Sequence, residues 1–127
     1  MTFAEWLEYA RANWRKEDGQ TMAEYGVVLA VITLGIVATL KVKPGMEQEF
    51  EVVARQMVEK VRANEPGCTL YVLHRAETAG TYVFMERYVD DGAFEAHRKT
   101  EHMRTLGRKM GDYMDGRVEL LRLREVV

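Results

Sequence analysis

The chain has 127 residues, a length that accommodates one domain and a short additional segment. Hydrophobic residues make up 47% and charged residues 30%, which excludes an intrinsically disordered chain. The formal net charge is -2, so no nucleic-acid partner is expected. Cys68 is the single cysteine, which excludes an intramolecular disulfide and a cysteine-ligated metal cluster.

The N-terminal nineteen residues are mixed in charge and carry both tryptophans of the chain. Phe3, Trp6, Leu7, Ala10 and Trp14 recur at helical spacing. This periodicity predicts a short amphipathic helix.

The next stretch has a different composition. Between Gln20 and Leu40 the only carboxylate is Glu24, and residues 27–32 are a continuous apolar run. The stretch is about as long as a membrane-spanning helix. A lone carboxylate in such a helix is costly unless a partner compensates its charge.

The sequence at the junction, Gly19-Gln20-Thr21-Met22-Ala23-Glu24-Tyr25, resembles the processing site of Flp-type (type IVb) pilins. In that family a prepilin peptidase cuts after the glycine, and a glutamate and a tyrosine then stand fifth and sixth in the mature chain. The resemblance covers residues 5 to 35 and implies a processing site formed by Gly19, Gln20, Glu24 and Tyr25. Residues 20–34 would then join a membrane or pilus assembly, in the cell envelope or an extracellular pilus. The alternative is an amphipathic extension that packs on its own domain, for which a cytoplasmic location is expected.

From Gly35 onward, strand and helix patterns alternate. The predicted elements begin with a strand at 35–43 and a helix at 46–64, followed by strands at 68–75 and 81–88 that are joined around Ala79-Gly80. One helical region follows, capped by Asp90 or Asp91, with an apolar spacing formed by Phe94, His97, Met103, Leu106 and Met110. A last strand is predicted at 117–126. The order βαββαβ predicts a ferredoxin-like α+β fold. The expected domains are therefore residues 1–34 and 35–127.

Both faces of the predicted sheet carry bulky side chains. Tyr82, Phe84 and Tyr88 point to one face of their strand, whereas Val83 and Met85 point to the other. Helices can cover only one face of a βαββαβ unit. We therefore expect the open sheet face to form a homodimer interface or to enclose a ligand pocket.

Several stretches of residues 32–127 resemble the antibiotic biosynthesis monooxygenase superfamily, including its quinol-monooxygenase-like members. They are Ala38-Thr39-Leu40-Lys41-Val42-Lys43-Pro44-Gly45, Glu65-Pro66-Gly67-Cys68, His74-Arg75, Phe84-Met85-Glu86-Arg87-Tyr88, and Ala96-His97 with His102 after it. The resemblance implies a dimeric α+β barrel that oxidises a quinol or an aromatic polyketide-like substrate with molecular oxygen. It also implies that no cofactor, neither metal nor flavin, is used.

The chain departs from the family pattern at two positions. Tyr88 stands where the family often has a tryptophan, and Phe84 stands where one polyketide-oxidising branch has an asparagine. The mechanism of that branch is therefore not expected to transfer intact. Residues 32–127 also lack the tryptophan and the first-strand asparagine of the haem-degrading branch.

By resemblance, the expected catalytic residues are His97, His102, Tyr88 and Arg87, and the expected substrate-pocket residues are Tyr71, His74, Tyr82 and Phe84. On one straight helix, His97 and His102 would point about 140° apart. They are therefore not expected to share a metal ion. Either histidine could accept a proton near neutral pH.

Structural roles remain as alternatives for these side chains. His97 would then pack in the interior, His102 would lie at the surface and His74 would be a structural histidine. Arg87 would form a salt bridge at the dimer interface. The tyrosines would simply pack in the sheet.

The two resemblances conflict over the first strand. A pilin requires one helix from Thr21 to beyond Leu40, whereas the monooxygenase module requires a strand from about Gly35. We predict a helix to about Thr33, a break at Gly35 and an intact module. A pilin-type subunit with a non-catalytic domain of this fold, and a small binding module, remain alternatives to an enzyme.

Overall fold

A computed structural model of the protein describes residues 2–14 and 33–127. The chain divides into two units, residues 1–32 and 33–127. In the first unit, helix α1 spans Phe3–Trp14, which confirms the predicted N-terminal helix.

The predicted processing site lies outside the described residues. Gly19, Gln20, Glu24 and Tyr25 all belong to this part of the chain, so the pilin-like interpretation stays a prediction. Among the residues that the structure describes, no helix combines the length and the apolar character needed to cross a membrane.

The second unit has the predicted βαββαβ order, with its second helical region divided into two helices. Its elements are β1 (Leu34–Lys41), α2 (Glu47–Asn64), β2 (Cys68–Arg75), β3 (Thr81–Tyr88), α3 (Asp91–Arg98), α4 (Glu101–Asp112) and β4 (Glu119–Arg124). The four strands form one antiparallel sheet in the order β2-β3-β1-β4. The predicted ferredoxin-like α+β fold is confirmed.

Strand β1 lies in the middle of the sheet. Leu34 pairs with Tyr88 of β3 on one side and with Arg124 of β4 on the other. Its side chains alternate between buried and half-buried, as expected for a strand with one face on the core. The prediction of a strand at this point, rather than a continued helix, is confirmed, although the regular strand ends at Lys41.

The core lies between the sheet and helix α2. The helix buries an apolar stripe at three- and four-residue spacing, formed by Phe50, Val53, Ala54, Met57 and Val61. The facing sheet residues are Leu34, Ile36, Ala38, Leu40, Tyr71, Tyr82, Phe84 and Tyr88. Burial of each large apolar side chain stabilises the fold by about 1.5–3 kcal/mol.

The second helical region is interrupted at Lys99 and Thr100. Asp90 caps α3 as predicted, since its side chain accepts a hydrogen bond from the backbone N–H of Ala93. Thr100 adopts an extended conformation, and its hydroxyl accepts from the N–H of Met103 to cap α4. The prediction of one straight helix, with two histidines pointing about 140° apart, is therefore wrong.

One face of the sheet is open in this chain. Leu70, Met85, Leu121 and Leu123 are each 40–56% exposed, and their strand registers place them together on the side away from the helices. The prediction that the helices cover only one face is confirmed. Strand β4 is an edge strand whose residues are all exposed.

Candidate active site

A small apolar cavity lies between the sheet and the helices α3 and α4. Its volume is about 200 Å³. Most of its wall is apolar, and it includes Leu40, Met57, Phe84, Phe94, Met103 and Met110. Four polar side chains, those of Tyr71, Glu86, His97 and Arg98, also line it. An apolar cavity with few convergent polar groups is the usual form of a small-molecule site.

A larger cleft of about 410 Å³ lies between α2 and β2. In its wall, Glu51 accepts hydrogen bonds from Arg75 at 2.7 Å and from the Tyr82 hydroxyl at 2.5 Å. These hydrogen bonds, that from Tyr82 first, lower the pKa of Glu51. Glu51 is thus already paired with Arg75 and Tyr82. We therefore take the smaller, apolar cavity as the candidate site.

The cavity borders a triad formed by His97, Glu65 and His102. The carboxylate of Glu65 lies 2.9 Å (Oε1) and 3.0 Å (Oε2) from Nδ1 of His97, and its Oε2 lies 2.5 Å from Nε2 of His102. The helix break at Thr100 allows this geometry, because it turns the start of α4 back toward the end of α3. Glu65 lies directly after α2, so three helix ends meet at this point.

The buried ring of His97 has one nitrogen engaged and one nitrogen open. Because an ionised carboxylate only accepts hydrogen bonds, Nδ1 carries the proton and Nε2 has the lone pair. Nε2 has no hydrogen-bond partner among the described residues, which contain no buried side-chain nitrogen or oxygen without a partner. Nε2 must therefore border accessible space, and His97 lines the cavity.

Burial and the carboxylate of Glu65 shift the pKa of His97 in opposite directions. The pKa of His97 is lowered, chiefly because burial disfavours the charged ring, while the hydrogen bond to Glu65 opposes this effect. His97 is therefore neutral at rest near pH 7 and available to accept a proton. Glu65 would stabilise the imidazolium that forms.

A second acid reaches the cavity from β3. Glu86 is only 8% exposed, and its Oε1 accepts a 2.6 Å hydrogen bond from the hydroxyl of Tyr88. Burial raises the pKa of Glu86 to about 7. The cavity therefore contains a carboxyl group that keeps its proton to near-neutral pH.

The triad also brings together three groups that bind metals. One ligand atom from each of Glu65, His97 and His102 lies within 4.8 Å of the other two. Two ligands of a tetrahedral zinc ion, each at about 2.0–2.1 Å, are roughly 3.3 Å apart. Oε2 of Glu65 and Nε2 of His102 are closer than this, at 2.5 Å. The triad is therefore arranged as a hydrogen-bonded chain, and a metal ion would have to push it apart.

The model of the family described as "Antibiotic biosynthesis monooxygenase" matches residues 33–109. The chain belongs to this family. The match spans the sheet strands β1 to β3 and the helices that carry the triad.

Related proteins agree with this assignment. A Caulobacter crescentus CB15 protein, provisionally assigned as an antibiotic biosynthesis monooxygenase, is 38% identical, with a TM-score of 0.74 over 77% of this chain and 93% of its own. A Pseudomonas aeruginosa protein of known structure is 27% identical, with a TM-score of 0.68 over 77% and 98%. The Bacillus subtilis (strain 168) protein YcnE, provisionally assigned as a monooxygenase, is 26% identical over 67% of this chain and 90% of its own length.

The structure brings some of the expected family residues together and separates others. His97, Tyr71 and Phe84 line the cavity. His102 is connected to His97 by its hydrogen bond to Glu65, and Tyr88 is hydrogen-bonded to the cavity residue Glu86. Three expected site residues lie elsewhere. Tyr82 belongs to the cleft with Glu51, while His74 and Arg87 are exposed, with their strand registers on the open face.

Two site residues were not predicted from the sequence, although both occur in the family stretches. Glu86 follows Tyr82 and Phe84 on the buried face of β3, and a carboxylate in a buried alternating row is a signal for a functional acid. Glu65 carries no such signal. Its role depends on where the ends of three helices meet.

Proposed function

We propose that residues 33–127 form a monooxygenase that oxidises an electron-rich aromatic substrate of the quinol class with molecular oxygen, using neither metal nor flavin. The observation that carries this proposal is the open Nε2 of His97 at an apolar cavity, with Nδ1 held by the Glu65 carboxylate. Family membership supports the reaction class. Apolar walls also favour a dry site, in which a fixed charge acts strongly.

The size of the cavity favours a small quinol over a multi-ring polyketide. Its volume of about 200 Å³ is below the roughly 300–1,000 Å³ of sites for drug-sized ligands. The aromatic rings of Tyr71, Phe84 and Phe94 offer stacking surfaces to a substrate of one or two rings.

The chemistry assigned to the chain is proton transfer. His97 Nε2 takes the proton of a substrate hydroxyl, and the resulting phenolate is electron-rich enough to react with oxygen. One oxygen atom enters a ring carbon and the other leaves as water, so that a quinol and O₂ give a hydroxyquinone and H₂O. The substrate supplies all four electrons, and no further reductant is needed.

We further propose that the open sheet face pairs with the same face of a second copy. Leu70, Met85, Leu121 and Leu123 would be buried in such a homodimer. An apolar patch of this kind is typical of an interface. Arg87 lies on the same face, where it would have a role in the interface and none in the chemistry.

The test is oxygen consumption by the purified protein with one- and two-ring quinols. Replacing His97 with Asn keeps a polar group near the Nδ1 position but removes the base, so turnover should fall about 10²- to 10⁴-fold. The surface variant Glu77→Gln serves as control, with thermal unfolding measured for both. Uptake that never exceeds the uncatalysed rate, or an unchanged rate in the His97 variant, would refute the proposal.

A further inference from the structure

Two buried polar side chains of the cavity each have an oxygen without a partner among the described residues. Tyr71 is 5% exposed, and its hydroxyl forms no hydrogen bond with these residues. Oε1 of the buried Glu86 accepts from Tyr88, whereas its Oε2 has no such partner. Because the described residues contain no fully enclosed side-chain oxygen without a partner, both oxygens must border accessible space. Both residues line the cavity, so this space is the cavity.

Tyr71 and Glu86 are direct neighbours on the sheet. They pair across β2 and β3, so their side chains leave the same face with Cβ atoms about 4.5–5.5 Å apart. The Tyr71 ring contacts two other cavity residues, with its centroid 5.1 Å from that of Phe84 and 5.4 Å from that of His97. His97 reaches the cavity from helix α3. The cavity therefore has a polar pair on its sheet wall and an open ring nitrogen on its helix wall.

Both groups of the sheet wall are hydrogen-bond donors near neutral pH. Burial raises the pKa of Tyr71, and the charge of Glu86 adds to this rise, so the hydroxyl keeps its proton. Burial also keeps Glu86 protonated to near pH 7. Since Oε1 already accepts from Tyr88, the acid proton is best placed on Oε2. The sheet wall thus offers two donors, whereas Nε2 of His97 is an acceptor.

We propose that Tyr71 and Glu86 bind the second oxygen of a dihydroxy aromatic substrate whose first hydroxyl lies at Nε2 of His97. This inference rests on the proposed function, because it takes the cavity as the substrate site. It makes Tyr71 and Glu86 the residues that determine specificity for a quinol.

The cost of unpaired donors explains the specificity. A ligand that fills the cavity displaces solvent from Tyr71 and Glu86, and it loses affinity unless it replaces the hydrogen bonds of that solvent. A quinol supplies its second oxygen for this purpose. A monophenol with the same rings leaves both buried donors unpaired, which is the strongest ground on which a site rejects an analogue. The site should therefore select quinols by contact as well as by reactivity.

The test compares two ligands that differ only in the second oxygen. Dissociation constants of naphthohydroquinone and of α-naphthol are measured by calorimetry in the absence of oxygen, so that no turnover occurs. The wild-type protein should bind the quinol at least about tenfold more tightly. Tyr71→Phe removes a hydroxyl that has no partner among the described residues, so it costs the fold no known hydrogen bond. It should lower the ratio of the two constants about fivefold.

A second variant removes the other donor. Glu86→Leu is combined with Tyr88→Phe so that no buried hydroxyl is left unpaired, and the ratio should fall in the same way. Glu86→Gln should retain the ratio, since its amide can place an N–H at the position of Oε2. Tyr113→Phe is the matched control, because Tyr113 is not among the described residues that line the cavity. Thermal unfolding establishes that each variant is folded.

The inference is overturned if the wild-type protein binds the quinol no more tightly than α-naphthol, or not at all. An unchanged ratio in both donor-removing variants would also overturn it. These outcomes are distinct from failure of the proposed function. A tenfold preference without oxygen uptake would support the diol site and refute the enzyme, whereas oxygen uptake with equal affinities would refute the diol site and leave the enzyme standing.

Discussion

The hydroxyl of Tyr88 donates a 2.6 Å hydrogen bond to Oε1 of Glu86, two residues earlier on the same face of β3. Both side chains are buried. Burial is the main reason that the pKa of Glu86 rises to about 7. The charge of Glu65 adds to this rise, whereas the Tyr88 hydrogen bond opposes it. The stability of the domain should therefore depend on the ionisation of this one carboxyl group.

Glu86→Gln should stabilise the protein above pH 7. In the unfolded chain Glu86 ionises near its ordinary value of 4.5, but in the folded chain it ionises only near 7. Its contribution to stability therefore falls as pH rises from about 4.5 to 7 and stays low above that. The variant should gain on the order of 3 kcal/mol at most in urea unfolding at pH 8, and should gain little at pH 4.

The control for that experiment is Glu77→Gln, which changes an exposed carboxylate in the hairpin between β2 and β3. Its effect on the free energy of unfolding should be small and equal at both pH values. If Glu86→Gln changes the free energy of unfolding by the same small amount at pH 4 and at pH 8, the raised pKa of Glu86 is contradicted.

Tyr88→Phe should destabilise the protein. It removes the hydroxyl that satisfies Oε1 of the buried Glu86, at a cost of about 1–3 kcal/mol, and more above pH 7 where the carboxylate is charged. Combining Tyr88→Phe with Glu86→Gln gives a double-mutant cycle that isolates the interaction energy between the two side chains. Tyr113→Phe is a matched control, because the Tyr113 hydroxyl has no hydrogen-bond partner among the described residues. A coupling energy indistinguishable from zero would count against the bond.

Thr100→Ala should weaken the start of α4. The Thr100 hydroxyl accepts from the N–H of Met103, and loss of such a cap costs about 1 kcal/mol. Because the cap also positions His102, the rate of oxygen uptake should fall by more than the loss of folded protein accounts for. Thr105→Ala, later in the same helix, removes only a local bond to the carbonyl of Glu101 and should leave uptake unchanged. Equal effects of the two variants would exclude a positioning role for Thr100.

Leu121→Asp should dissociate the proposed homodimer. Leu121 is 56% exposed on the open face of the sheet, and an unpaired carboxylate in an interface costs several kcal/mol. Sedimentation velocity should then show a monomer. Val52→Asp introduces the same charge at an exposed position of α2 and should leave the oligomeric state as in the wild type. A wild-type monomer at micromolar concentration would refute the interface.

The strands could be predicted because their signal is local. The bounds predicted for β2 and β3 agree with the structure, since alternation and the turns at Pro66-Gly67 and Ala79-Gly80 fix them within a few residues. The break between α3 and α4 was missed because the apolar spacing continues across it. The signal was Thr100, a residue type that caps helices, followed by an acidic first turn.

The site was harder to predict than the fold. Two histidines five residues apart acquire a common partner only because the helix breaks between them. That partner, Glu65, lies 32 residues before His97 in sequence. No periodicity within one segment encodes such a contact, so only the family resemblance pointed to these residues.

The central position of β1 has a consequence for synthesis on the ribosome. Leu34 is the first residue of the sheet to be made, and yet one of its two partners, Arg124, follows 90 residues later. Strand β1 carries a single charge, on Lys41, and has no partner until β3 is made and only one partner until β4 is made. Such long-range pairing slows folding and leaves an apolar strand open to aggregation. The nascent chain therefore has its greatest need for chaperone protection at its earliest strand.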